Sequence, residues 1–215
     1  MIERLREWRG LILFVLVMLV FRSAGADWNQ VPSGSMLPAI LIGDRIVVDK
    51  LAYDLRLPFT LIRIARWADP ARGDVVTFNS PEDERLLVKR VIGLPGDLVG
   101  MVDNRLTING RPLEYRPLQR RGSYLRFEER LPDGMRTVVV QAALGGSGAD
   151  SFAPVQVPPG HYLMLGDNRD HSRDSRAFGF VARERILGRA TAVAFSLDYE
   201  NHYALRTDRF LADLD

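Results

Sequence analysis

A chain of 215 residues, 47% of them hydrophobic, supports one cored domain plus a further segment, and is too short for two full-size domains. A 26% share of charged residues at a net charge of +2 excludes wholesale disorder, and no Lys/Arg run with interleaved aromatics points to nucleic acid. The lack of cysteine excludes a disulfide scaffold, a thiolate metal site and a cysteine nucleophile.

Residues Gly10 to Phe21 form an unbroken apolar run. Trp8 and Trp28 stand twenty positions apart around it, so a helix between them would extend roughly 30 Å, one hydrocarbon thickness. Arg4, Arg6 and Arg9 precede the run and Arg22 follows it. That bias predicts a single-pass anchor over 1–28, with its N-terminus in the cytoplasm and the remainder across the membrane, against lipid. Ala24-Gly25-Ala26 has the small-x-small form of a cleavage site, so removal of the segment stays open.

Beyond the anchor the pattern is strand-like. Arg45–Lys50, Asp74–Phe78, Leu86–Ile92, Leu98–Val102, Arg105–Ile108, Tyr124–Arg130, Thr137–Gln141, Tyr162–Leu165 and Ala190–Ser196 are short and rich in valine, isoleucine and aromatics. Asp103-Asn104, Asn109-Gly110, Asp133-Gly134 and Pro159-Gly160 supply turns, and Gly-Asp pairs begin at 43, 73, 96 and 166. The expectation is a mainly β chain: a transmembrane helix, then an antiparallel β-barrel or sheet catalytic domain over 29–110 and 155–215. An inserted β subdomain is expected over 111–154, and a short helix in the tail from Tyr203.

Of 29 basic residues only Lys50 and Lys89 are lysines. Lysine loses its proton when desolvated and arginine does not, so a lysine in this background can be a tuned base or a leftover surface charge. Lys89 lies in the apolar stretch Leu86-Leu87-Val88-Lys89-Arg90-Val91-Ile92, where burial would lower its pKa. Strand alternation sends Lys89 and Arg90 to opposite sides. Val31-Pro32-Ser33-Gly34-Ser35-Met36-Leu37-Pro38 reads equally as a nucleophile turn or a linker leaving the membrane. His171, among Asp167, Asp170 and Asp174, permits a Ser-His-Asp alternative, and the charged run Gly166–Arg176 reads as a solvated loop or an ion-pair network.

Taken together and in order, these segments resemble bacterial signal peptidase I, the serine/lysine leader peptidase family. The resemblance rests on Pro32–Pro38, Gly43–Lys50, Arg72–Val76, Val88–Asp97, Gly166–Arg176 and Gly188-Arg189-Ala190. It implies Ser35 as nucleophile, Lys89 as general base, Ser33 as an oxyanion donor and Ser172 as the group hydrogen-bonded to Lys89. It also implies ion pairs Asp174–Arg176 and Asp167–Arg90, and shallow apolar pockets lined by Val31, Pro32, Met36, Leu87 and Val88. The implied partners are exported preproteins with small residues before the cut, acted on by a monomer without metal or organic cofactor. His171 stands where the family pattern leads one to expect asparagine. Rival readings are a peptidase dedicated to one secreted or conjugation protein, a self-cleaving repressor, and an anchored β domain that binds exported proteins without cutting them.

Overall fold

The computed structural model describes residues 8–60, 62–118, 120, 122–132, 137–143 and 149–214. Arg4, Arg6 and the Asp133-Gly134 turn lie outside them. Helix α1 covers Arg9–Ala24. The strands follow in chain order: β1 Ala26–Gln30, β2 Asp44–Asp49, β3 Asp54–Arg56, β4 Arg63–Arg66, β5 Val75–Asn79 and β6 Leu86–Gly93. Next come β7 Leu98–Val102, β8 Arg105–Ile108, β9 Arg111–Pro112, β10 Glu114–Pro117, β11 Tyr124–Arg130 and β12 Thr137–Ala143. The last are β13 Phe152–Gln156, β14 His161–Leu165, β15 Val181–Ala182, β16 Ile186–Asp198, β17 Ala204–Leu205 and β18 Ala212–Asp213, with the one-turn helix α2 at Ser175–Phe178.

The principal sheet has nine strands, ordered β1-β2-β16-β5-β6-β14-β15, with β17 and β18 also on β16. All of its pairings are antiparallel. Apolar side chains cover both sides: adjacent Val75 and Val76 enter different clusters, one with Val31, Met36, Ile46 and Val48, the other with Phe78, Val91 and Met164. That two-sided burial explains why these strands read as continuous apolar runs rather than alternating ones.

Three Gly-Asp pairs build the same turn. Gly43, Gly73 and Gly96 have φ of +96°, +92° and +90°, the turn position that favours glycine. The buried aspartate that follows closes each turn twice. Its N–H donates to the carbonyl three residues back, and its carboxylate accepts the N–H of that same residue, Leu41, Ala71 or Leu94.

The sequence expectations for the two ends of the chain change in part. The helix ends at Ala24, and Trp28 lies in β1, paired with Val47, instead of closing a helix that began at Trp8. At 16 residues α1 is about 24 Å long. Among the described residues no helix is long and apolar enough to cross a membrane. The Ala24-Gly25-Ala26 junction is tied down, Gly25 accepting the Lys50 N–H and Ala26 pairing with Asp49. In the tail the expected short helix is a single 3-10 turn, Thr207–Arg209; around it the Arg206 N–H bonds back to the Ser196 carbonyl, β18 adds to β16, and Leu214 is buried, so edge pairing shapes the rest.

The stretch expected as an insertion divides between two sheets. Strands β10, β11 and β12 form one by themselves, whereas β9 and β13 join β7 and β8, which lie in the stretch expected as catalytic core. Both share one apolar cluster around Val99, Leu106, Leu131, Val140 and Leu165. Elsewhere β3 and β4 make a hairpin with Phe59, Ile62, Ile64 and Trp67 exposed, and the Trp67 indole donates to the Leu51 carbonyl.

Candidate active site

Strand β6 carries Lys89 between β5 and β14, with Val76 opposite it on β5. Its side chain is 3% exposed, and Nζ stands 2.6 Å from Ser35 Oγ and 3.0 Å from the Val88 carbonyl. Burial is the largest influence on the amine and lowers its pKa to about 8; Asp174 and Asp167 act against that shift, and Arg176 acts with it. A substantial neutral fraction is therefore present near neutral pH, as a general base requires. Lys50 differs: it is partly exposed and pairs with Asp27 at 3.5 Å.

Ser35 sits in the turn between β1 and β2 and is 8% exposed. Val31 and Met36, buried beside it, pack in one apolar cluster with Val88 against them, so they floor the turn. Pro32 is exposed, and Leu87 packs with the opposite cluster around Phe78 and Tyr162. The five expected pocket residues thus do not line one surface, because Leu87 and Val88 point to opposite sides of β6. Ser33 Oγ lies 3.4 Å from Ser35 Oγ, too long for a strong hydroxyl bond and free to turn toward a substrate oxygen. The Ser35 N–H has no hydrogen-bond acceptor among the described residues.

The loop after β14 packs on this turn. Gly166 has no room for a side chain: a Cβ there would sit 2.2 Å from Ser172 Oγ and 2.4 Å from the Ser35 carbonyl. Asn168 is 3% exposed and holds the Ser35 turn by two bonds, Nδ2 to the Gly34 carbonyl at 2.9 Å and N–H to the Ser35 carbonyl at 3.1 Å. Arg90 and Asp167 meet in a buried two-point pair, 2.9 and 2.8 Å. Asp174 takes Arg176 at 2.8 and 2.7 Å, and also accepts the Gly166 N–H. These carboxylates, which influence Lys89, are each already bonded to a guanidinium.

One expected contact is missing. Ser172 Oγ is buried with no hydrogen-bond partner among the described residues, and the Lys89 amine bonds Ser35 and Val88 instead. The loop does bring Ser172 to the site, against Gly166, but its hydroxyl is not oriented onto Lys89. His171 is exposed, its ring meeting Tyr124 edge-on at 5.6 Å, and it does not touch the Ser35 hydroxyl. Sequence reasoning gave Asn168 no role. Its bonds span 134 positions, and nothing local in a polar loop signals them.

A serine hydroxyl against a desolvated amine, with free donors nearby, can carry out nucleophilic acyl transfer. Comparison with known proteins agrees with that chemistry. The family described as signal peptidase, peptidase S26, matches residues 5–195. Signal peptidase I of Pseudomonas fluorescens is 38% identical over 198 residues, covering 85% of this chain and 69% of the relative. Its counterpart in Pseudomonas aeruginosa is 35% identical over the same shares. A solved signal peptidase I from Enterococcus faecalis, 33% identical, matches 58% of this chain and 98% of its own, with a TM-score of 0.39. The family match over residues 5–195 and the two Pseudomonas relatives decide the matter: the chain belongs to the signal peptidase family, peptidase S26.

Proposed function

We propose that this chain is a membrane-bound serine endopeptidase that removes signal peptides from exported preproteins, with Ser35 as nucleophile and Lys89 as general base. The carrying observation is the 2.6 Å approach of a buried lysine amine to the Ser35 hydroxyl. Neutral Lys89 takes the hydroxyl proton as Ser35 Oγ attacks the scissile carbonyl. Ser33 Oγ and the Ser35 N–H donate to the oxyanion, and Lys89 returns the proton to the leaving amine. Water, deprotonated by the same amine, then releases the acyl group. The Arg90–Asp167 and Asp174–Arg176 pairs hold the surrounding loop, and Val31, Met36 and Val88 supply the apolar floor.

The membrane part of the proposal is supported by α1. Every described side chain from Trp8 to Leu19 is exposed, and most are large and apolar, a surface suited to lipid rather than water. We place the helix in the cytoplasmic (inner) membrane, with the β domain on its extracytoplasmic side and a single copy acting on each preprotein.

The test is cleavage of a preprotein by the detergent-solubilised full chain and its Ser35→Ala and Lys89→Arg variants. Both variants should be inactive. Arginine keeps the charge but supplies no neutral base, so retained activity in Lys89→Arg would overturn the mechanism. Fractionation reports on the anchor separately: release of the full chain by alkaline carbonate would sink it.

A further inference from the structure

The sheet β10-β11-β12 reaches the Ser35 turn through a buried path. Glu129 on β11 is 0% exposed, and its Oε1 accepts from Arg169 Nη2 at 2.7 Å. Its Oε2 accepts the Tyr115 hydroxyl of β10 at 2.6 Å. Arg169 is 1% exposed; among the described residues its Nε and Nη1 have no partner, and Glu129 is its only carboxylate. Burial opposes the Arg169 charge, and the Glu129 carboxylate outweighs it, leaving the guanidinium pKa raised.

Other contacts run the same way. The Gln141 N–H of β12 donates to the Asp167 carbonyl at 2.9 Å, and Gln141 forms a parallel bridge with Asn168. Tyr124 of β11 packs on His171; from the β7–β8 turn Asn104 donates to Asp170, and Arg176 ties the loop itself by donating to the Arg169 carbonyl and to that of Ala149. Arg169 directly follows Asn168, whose side chain and N–H hold the Gly34 and Ser35 carbonyls. The path from the outer sheet to the nucleophile is therefore Tyr115, Glu129, Arg169, Asn168, Ser35.

We infer that Glu129 is a positioning residue for the Ser35–Lys89 site, and that the β10-β11-β12 sheet serves as its buttress, fixing the 166–176 loop against the nucleophile turn through Arg169. This rests on the Ser35–Lys89 reading above. A buried guanidinium deprived of its one carboxylate must move or draw in water. Asn168 then loses its hold on the turn, and a displacement of about 1 Å at a reacting group can cost on the order of 10² in rate. The same loop carries Asp167, Asp174 and Arg176, the charged groups that bear on Lys89, with Arg90 paired to Asp167 on the Lys89 strand. Opening it to water weakens the desolvation that holds the amine near 8.

The experiment uses the full-length chain in detergent with a preprotein substrate, at a temperature where circular dichroism shows each variant fully folded. Glu129→Gln should lower kcat about 10- to 100-fold with KM within about 3-fold, and should move the pH midpoint of kcat upward from about 8. Tyr115→Phe, which removes the hydroxyl that donates to Glu129 and accepts the Leu106 N–H, should shift both quantities in the same directions by less. A wild-type pH midpoint and kcat in folded Glu129→Gln would overturn the inference. So would a loss of activity with the midpoint unmoved. Should Glu129→Gln not fold, Tyr115→Phe decides alone, and wild-type values there would overturn the proposal. Ser35→Ala in the same assay separates the two ideas, because activity retained there strikes the dyad itself, not the buttress.

Discussion

Lys89 and Arg90 are consecutive on β6 and equally buried, 3% exposed each, yet their surroundings treat charge in opposite ways. Arg90 meets a two-point carboxylate and a backbone carbonyl. Lys89 meets a serine hydroxyl and one carbonyl, and the acids that influence it are bonded to Arg90 and Arg176. One strand thus holds a permanent cation and a deprotonatable amine side by side. Guanidinium is given full compensation, and ammonium is denied it.

The largest effect should come from the Lys89 side. Ser35→Ala and Lys89→Arg should each lower preprotein cleavage by about 10³ or more, measured as kcat/KM. Measurable turnover by the Lys89→Arg enzyme would erase the contrast, since a permanent cation and a deprotonatable amine would then serve alike. On the other side, Asp167→Asn leaves Arg90 buried without its carboxylate. It should cost about 3–5 kcal/mol of stability in denaturant titration, and a loss near zero would mean that the pair is dispensable.

Activity should follow the free amine. Below the Lys89 pKa of about 8, kcat should fall close to tenfold per pH unit, so a flat profile from pH 6 to 9 would remove Lys89 as the base. Stability supplies the smallest and most diagnostic shift. The unfolded lysine keeps its proton up to 10.5 and the folded one only to about 8. Across that window the unfolded state binds more protons, stability rises with pH, and below 8 the full penalty is present. Lys89→Met removes it and should stabilise the protein at pH 7 by about 1–3 kcal/mol in denaturant midpoints, with the gain gone above pH 10.5. Destabilisation at pH 7 would show that Lys89 is compensated much as Arg90 is.

The alternation that separates Lys89 from Arg90 was legible in the sequence, because strand geometry is local and apolar flanks announce burial. So were most strands of the principal sheet and the three Gly-Asp turns, whose glycines adopt positive φ. The Ser172 contact was not, since orienting a hydroxyl depends on a loop fold that sequence spacing leaves free. Nor was the Glu129–Arg169 pair, 40 positions apart and joined across two sheets. Trp28 misled for a related reason: a tryptophan that resembles an interfacial anchor is also a good strand residue, and pairing with Val47 decided the matter.

The β3–β4 hairpin bears on how this protein can be handled at the bench. Cutting the chain after Ala24 would delete α1, but Phe59, Ile62, Ile64 and Trp67 would still face outward, 54–70% exposed. A shortened chain is therefore expected to keep an apolar surface, and sedimentation in plain buffer with and without detergent would show whether it self-associates. Polar replacements at Phe59 and Ile62, on the hairpin's exposed turn, should lower any such association.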